Sequence, residues 1–259
     1  MKRWRTLLLI VAALLAALGL LVWFMPARWA LAMVQPKLGA VQLRQVSGSV
    51  WNGLAGDVVL ADGTDLGELH WQLSRRALLG HLQLHATLDG PLAHGRGDLA
   101  RHGDEAIWSD LHLTVTLDAL PRPPTTPWGV MRGELALDIA QLRVLKGWPD
   151  SVSGVVRWND AAVQWPDGRA GLGNLTADLT GSHGVLRAEL HDDGSSALQL
   201  AGQARISPIG WRLDALLSAR DHDAALERWL ARLGTPDANG AIHLQRGAGV
   251  GALSTGAAP

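Results

Sequence analysis

The chain contains no cysteine and no tyrosine among its 259 residues, and a single phenylalanine. Without cysteine there is no disulfide, no thiolate nucleophile and no thiolate metal ligand. An excess of charge is also lacking: 23 lysines and arginines face 24 carboxylates, for a formal net charge of -1. That balance removes any electrostatic case for nucleic acid as a partner. Several motifs are absent as well: H-E-x-x-H, a G-x-S-x-G elbow, a Walker loop, and G-x-G-x-x-G running into a helix. Long apolar runs are missing everywhere except near the N-terminus. What is abundant is tryptophan, twelve in all, most of them in strand-like segments where they pack a core or one sheet face.

Leu7 to Met25 is the one long apolar run. At about 1.5 Å per residue it just spans a hydrocarbon core of roughly 30 Å. Lys2, Arg3 and Arg5 precede it, so the excess of positive charge predicts residues 1–6 as a cytoplasmic tip, 7–25 as a single transmembrane anchor and the rest beyond the membrane. Trp23, Phe24 and Trp29 sit where an interfacial aromatic belt would lie, and Pro26 ends the helix. The competing reading is a signal peptide cut after Ala32, at Ala30-Leu31-Ala32. A signal core is usually about 7–15 residues, shorter than this run, and Pro26 and Arg28 stand between run and site. A retained anchor is the expectation.

Beyond residue 40, alternation dominates. Val41–Val46, Leu82–Leu88, Leu111–Leu117, Leu135–Leu142, Leu186–Leu190, Ala197–Ala201 and Trp211–Leu216 read as strands with one apolar face. Asp62-Gly63, Asp89-Gly90, His102-Gly103, Asp167-Gly168 and Asp193-Gly194 read as the turns between them. The predicted fold is mainly β: a long, curved, mostly antiparallel sheet. Two helices are expected outside the membrane, Ala27–Val34 and Asp221–Leu233; the second has Asp221 as N-cap, an apolar stripe of Leu226, Trp229, Leu230 and Leu233, and Gly234 as stop. The sheet is expected to contain two related units. Ser47-Gly-Ser-Val-Trp-Asn-Gly53 returns, degraded, as Ser153-Gly-Val-Val-Arg-Trp-Asn159, and Leu66-Gly67 returns as Leu172-Gly173. The boundaries follow as 26–120 for the first unit, 121–128 for a connector with four prolines, 129–246 for the second unit and 247–259 for a disordered tail.

Glycines, apolar residues and tryptophans recur in the two units; reactive groups do not. His81 and His85 share a strand face, with His94 and His102 following, but solvent-facing histidines explain them better than a metal site of three or four convergent ligands. Asp192-Asp193 and Asp221-x-Asp223 suit turns and caps better than acid catalysis. Trp51, Trp71, Trp158 and Trp165 are core or face residues more readily than a carbohydrate platform. No catalytic, cofactor-binding or metal residue is assigned, no cofactor is expected, and the chain is not expected to be an enzyme.

Ser47-Gly-Ser-Val-Trp-Asn-Gly53, then Leu66-Gly67, Leu69-x-Trp71 and Leu78-Leu79-Gly80, follow the order of elements in the N protein of bacterial type II secretion systems. The close also resembles that family: a helix ending at Leu233-Gly234, then Pro236-Asp237-Ala-Asn-Gly240 into a last strand. The resemblance implies an inner-membrane accessory subunit facing the periplasm. Its implied partners are the other platform subunits and the outer-membrane secretin, with ATP hydrolysis left to a separate cytoplasmic subunit. The alternative kept open is an envelope lipid-handling protein, with an apolar groove formed by a curled sheet.

Overall fold

The structure, a computed structural model, describes residues 25–35, 39, 41–221 and 223–249. All of the anchor expected at Leu7–Met25 except Met25 lies outside the described residues, as does the tail beyond Gly249. Among the described residues no helix is long and apolar enough to cross a membrane.

After helix α1 (Ala27–Val34) the chain forms β1 (Val41–Gly48), β2 (Asn52–Leu60), β3 (Glu68–Leu73), β4 (His81–Asp89), β5 (Ala93–His102) and β6 (Glu105–Thr116). It continues through β7 (Thr125–Thr126), β8 (Gly129–Leu145), β9 (Trp148–Trp165), β10 (Gly168–Ser182), β11 (Val185–Asp192), β12 (Leu198–Ser207) and β13 (Gly210–Ala219). Helix α2 (Ala224–Leu233) then precedes β14 (Ile242–Gly249). All 14 strands belong to one antiparallel sheet in sequence order, with only β7 off the path, paired to the start of β8. Such a meander needs only local connections, and the turns alternate between its two ends. We term the end holding the β1–β2 turn the near end. The β3–β4, β5–β6, β8–β9, β10–β11 and β12–β13 turns share it, while the proline-rich connector and α2 lie at the far end.

The five predicted turn pairs fall at strand ends. At Gly63 (φ 87°) and Gly194 (φ 81°) nothing would obstruct a side chain, so the backbone conformation alone calls for glycine. The alternating positions add up to one apolar face across the sheet. A single row in register runs Leu73, Leu84, Leu99, Trp108, Leu142, Val152, Gly181, Leu186, Ile206, Trp211 and Ala248. Its members between Leu73 and Leu186 are half-buried, whereas Ile206 and Trp211 are exposed. Full burial is reached where α2 lies on this face: Leu226, Trp229, Leu230 and Leu233 enter a cluster with Trp165, Leu172, Leu198, Leu217 and Ile242.

Three local expectations change. Helix α2 is capped by Asp223 instead of Asp221: its carboxylate accepts from the Ala225 and Leu226 amides at 2.7 and 3.2 Å. The last strand extends into the expected tail, with Gly247, Ala248 and Gly249 opposite Arg212, Trp211 and Gly210. Within the connector, Thr125 and Thr126 fold back against Val130 and Gly129. The two copies of the S-G-x-V-x-x-x element also differ locally. The first turns the chain between β1 and β2, while Ser153–Asn159 runs straight inside β9; Gly67 and Gly173 both take positive φ, 106° and 92°.

Candidate interaction surfaces

The motif-bearing residues build a joint at the near end. Gly48 (φ 79°) makes the turn possible, since a side chain there would meet the Asn52 carbonyl oxygen at 2.6 Å. Trp51 is buried. Gly53 leaves room for the Trp71 ring, whose Nε1 donates to the Val50 carbonyl at 3.1 Å. The Val50 amide donates in turn to the Met25 carbonyl at 3.1 Å, and Pro26 bridges to Ser49. Glycine and tryptophan are thus used to clamp the start of the described chain onto the first hairpins. Next to the clamp, the Leu73 amide donates to the Trp51 carbonyl at 2.7 Å and leads into a 3-10 turn, Arg75–Leu79, closed by Gly80 at φ 84°. The motif Leu78-Leu79-Gly80 closes this turn. Its structural signal is the non-alternating stretch Ser-Arg-Arg-Ala-Leu-Leu-Gly between two strands.

Large exposed apolar side chains concentrate at that same end. Trp29 on α1 is 57% exposed, Leu78 59% and Leu79 79%. Leu145 and Trp148 flank the β8–β9 turn, and Ile206, Ile209 and Trp211 the β12–β13 turn.

The face opposite the apolar rows carries histidines, several of them beside a carboxylate. His85 Nδ1 lies 2.8 Å from Asp98, His94 Nδ1 2.8 Å from Asp89 and His243 Nε2 2.7 Å from Asp214. His112 Nδ1 lies 2.6 Å from Asp138, which also accepts from Arg157 on the next strand. His81 stacks on His102 with ring centroids 4.7 Å apart. Among the described residues no three histidine or carboxylate groups converge as metal ligands. An open concavity of about 730 Å³ on this face is lined by Asn52, Gln72, Ser74, Gln83, His85 and Asp98, among others. The tryptophans considered for sugar stacking are separated: Trp165 packs under α2, and Trp158 donates from Nε1 to the Arg132 carbonyl at 2.8 Å.

Asp193 organises the β11–β12 turn by accepting from the Ser195 amide at 2.9 Å and from the Ser196 amide and hydroxyl, both at 2.8 Å. Those bonds, the Ser196 hydroxyl first, hold its pKa well below the usual carboxylate range. Asp192 is pushed up by burial, but the Leu200 and Gly194 amides, with Arg220 at 2.6 Å, leave it lowered overall. Hydrogen bonds from His112 and His243 lower Asp138 and Asp214. A depressed folded-state pKa stabilises the fold above the unfolded value and loses that contribution as pH falls through the folded value. Unfolding free energy from these groups is therefore expected to hold down to the ordinary carboxyl value of 3.8 and to decline below it. Asp193→Asn, which cannot titrate, is expected to flatten that decline in urea titrations at stepped pH.

The apolar stripe of helix α2 is spent on the sheet, as Trp229 Nε1 donates to the Trp128 carbonyl at 3.2 Å and Arg232 reaches Asp167 at 3.2 Å. The sheet edges are different: among the described residues, β1 and β14 each have one neighbouring strand only, which leaves one side of each open to another strand.

The family model described as Type II secretion system (T2SS), protein N matches residues 39–245. The type II secretion system protein N of Aeromonas hydrophila is 29% identical over 240 residues, which cover 90% of this chain and 94% of that protein. No solved structure matches the chain.

Proposed function

The chain belongs to the type II secretion system protein N family, and from that premise we propose an inner-membrane-anchored, periplasm-facing accessory subunit with a structural role in exporting folded proteins across the outer membrane. The family is a component of the secretion machinery; the anchor, the topology and the partners are our reading. The observation that carries the structural role is the pair of open edge strands, β1 and β14, at the two ends of one continuous sheet. An open edge accepts a strand from another subunit through backbone hydrogen bonds. The partners we propose are the other inner-membrane platform subunits and, across the periplasm, the secretin. Two related units, 26–120 and 129–246, remain our account of the sheet. In support, the meander β1–β6 of the first unit parallels β8–β13 of the second, with the connector following the one and α2 the other.

A second reading, lipid handling, is favoured by one observation: the apolar row from Leu73 to Leu186 is half-buried and not fully packed. A sheet that curls around this face would offer acyl chains a groove. Crosslinking in intact cells, followed by capture and mass spectrometry of bound proteins and lipids, separates the two. Platform subunits or secretin without stoichiometric lipid is the expected result. Phospholipid with no secretion component would replace the structural reading by the groove.

A further inference from the structure

We propose that the Arg75–Leu79 turn, with Trp29, is a membrane-surface foot, holding the near end of the sheet against the interfacial zone of the bilayer that the anchor enters. The proposal rests on the anchored reading above. If residues 7–25 cross the bilayer, Met25 marks their exit. Its carbonyl is bonded to the Val50 amide at 3.1 Å and Pro26 is bridged to Ser49. No slack therefore separates the membrane from the β1–β2 turn.

The β3–β4 turn is bound to that same point. Leu73 donates to the Trp51 carbonyl at 2.7 Å, and the Arg75 guanidinium carbon lies 6.0 Å from the Trp51 ring centre. The turn therefore meets the surface that the anchor leaves. Its chemistry suits that place: Leu78 and Leu79 stand 59% and 79% exposed, and Arg75 and Arg76 precede them. Leucines enter the acyl boundary while the guanidinium groups stay among lipid phosphates. Trp29, 57% exposed and four residues beyond Met25, is of the type that concentrates at membrane interfaces. In water the adjacent leucines would be an apolar patch that nothing among the described residues covers.

The absence of native cysteine makes single-site labelling direct. The full chain is reconstituted in nanodiscs of phosphatidylethanolamine and phosphatidylglycerol, with a nitroxide on L79C, S195C or A16C in turn. Accessibility to oxygen, which enriches in lipid, is compared with accessibility to a water-soluble nickel chelate. The Leu79 position is expected to favour oxygen several-fold over the chelate, while Ser195, at the far end, favours the chelate. Leu79 as open to the chelate as Ser195, with Ala16 shielded from it, would overturn the foot and leave the anchor in place. Ala16 open to the chelate would overturn the anchored reading itself, and the foot with it. Both label sites outside the anchor are exposed turn positions, so misfolding does not confound the comparison.

Discussion

Replacing Trp229 by alanine is expected to lower folding stability by about 3–5 kcal/mol, a large share of the ~5–15 kcal/mol that holds a typical domain together. The expectation comes from where the indole sits. Trp229 is buried in the middle of α2, among Leu226, Leu230, Leu172 and Ile242. Helix α2 has ten residues, too short to persist without tertiary contacts. Asp223 caps it and Arg232 pairs with Asp167, but both are surface interactions. Packing is therefore what keeps the helix on the sheet. The indole also donates to the Trp128 carbonyl, 101 positions earlier in the chain, so its loss frees the end of the proline-rich connector as well. Trp229→Phe keeps a ring in the cavity and loses only the donor and some volume. Its expected cost is smaller, with about 1 kcal/mol from the orphaned carbonyl. Urea denaturation of the purified protein, followed by far-ultraviolet circular dichroism, checks both. A Trp229→Ala transition at the wild-type midpoint would mean that the indole does not hold α2 on the sheet.

Much of this arrangement was legible in the residues, and the limits are physical. Leu82–Leu88 and Leu186–Leu190 alternate cleanly and are strands β4 and β11. The stripe Leu226, Trp229, Leu230 and Leu233 faces the core as its spacing says. The longest strands were harder to read because they contain irregularities. In β6, Asp110 takes φ 49°, and the inward positions switch from Ala106 and Trp108 to Leu111, Leu113 and Val115. Such a bulge inserts one residue and inverts the alternation, so period two sees only a fragment. Asp160 (φ 48°) interrupts β9 in the same way, and β10 shifts register around Gly171 and Gly173. Strand β5 holds Gly95 and Gly97 at inward positions, where the Leu113 and Leu111 side chains fill the space. Glycine there reads as a loop until the neighbouring strand is known. The pairing of His112, Asp138 and Arg157 was out of reach for a related reason: three strands and their register must be fixed before those residues become neighbours.

Gly53→Val is expected to destabilise the near end by about 1–3 kcal/mol through overpacking, and by about 1 kcal/mol more through the lost Trp71 hydrogen bond. Strand propensity alone predicts the opposite, because valine favours β structure and glycine does not. Steric contact decides the sign. A β-carbon at residue 53 would stand 2.1 Å from Trp71 Cζ2, so the indole must leave. Its Nε1 then loses the Val50 carbonyl, and the hairpin that presents the Val50 amide to Met25 loosens. Gly171→Ala is the control: nothing lies within 4 Å of that position, and removing a glycine there is expected to be neutral or slightly stabilising through the unfolded chain. Limited proteolysis should cut Gly53→Val between β1 and β3 at concentrations that leave Gly171→Ala intact, with a lower urea midpoint for the valine variant only. In cells, Gly53→Val should reduce secretion more than its protein level does, since the joint it breaks couples the sheet to Met25, where the proposed anchor ends. If the two variants behave alike in both assays, Gly53 and Trp71 do not form a clamp, and the first motif owes its glycine to the turn at Gly48 alone.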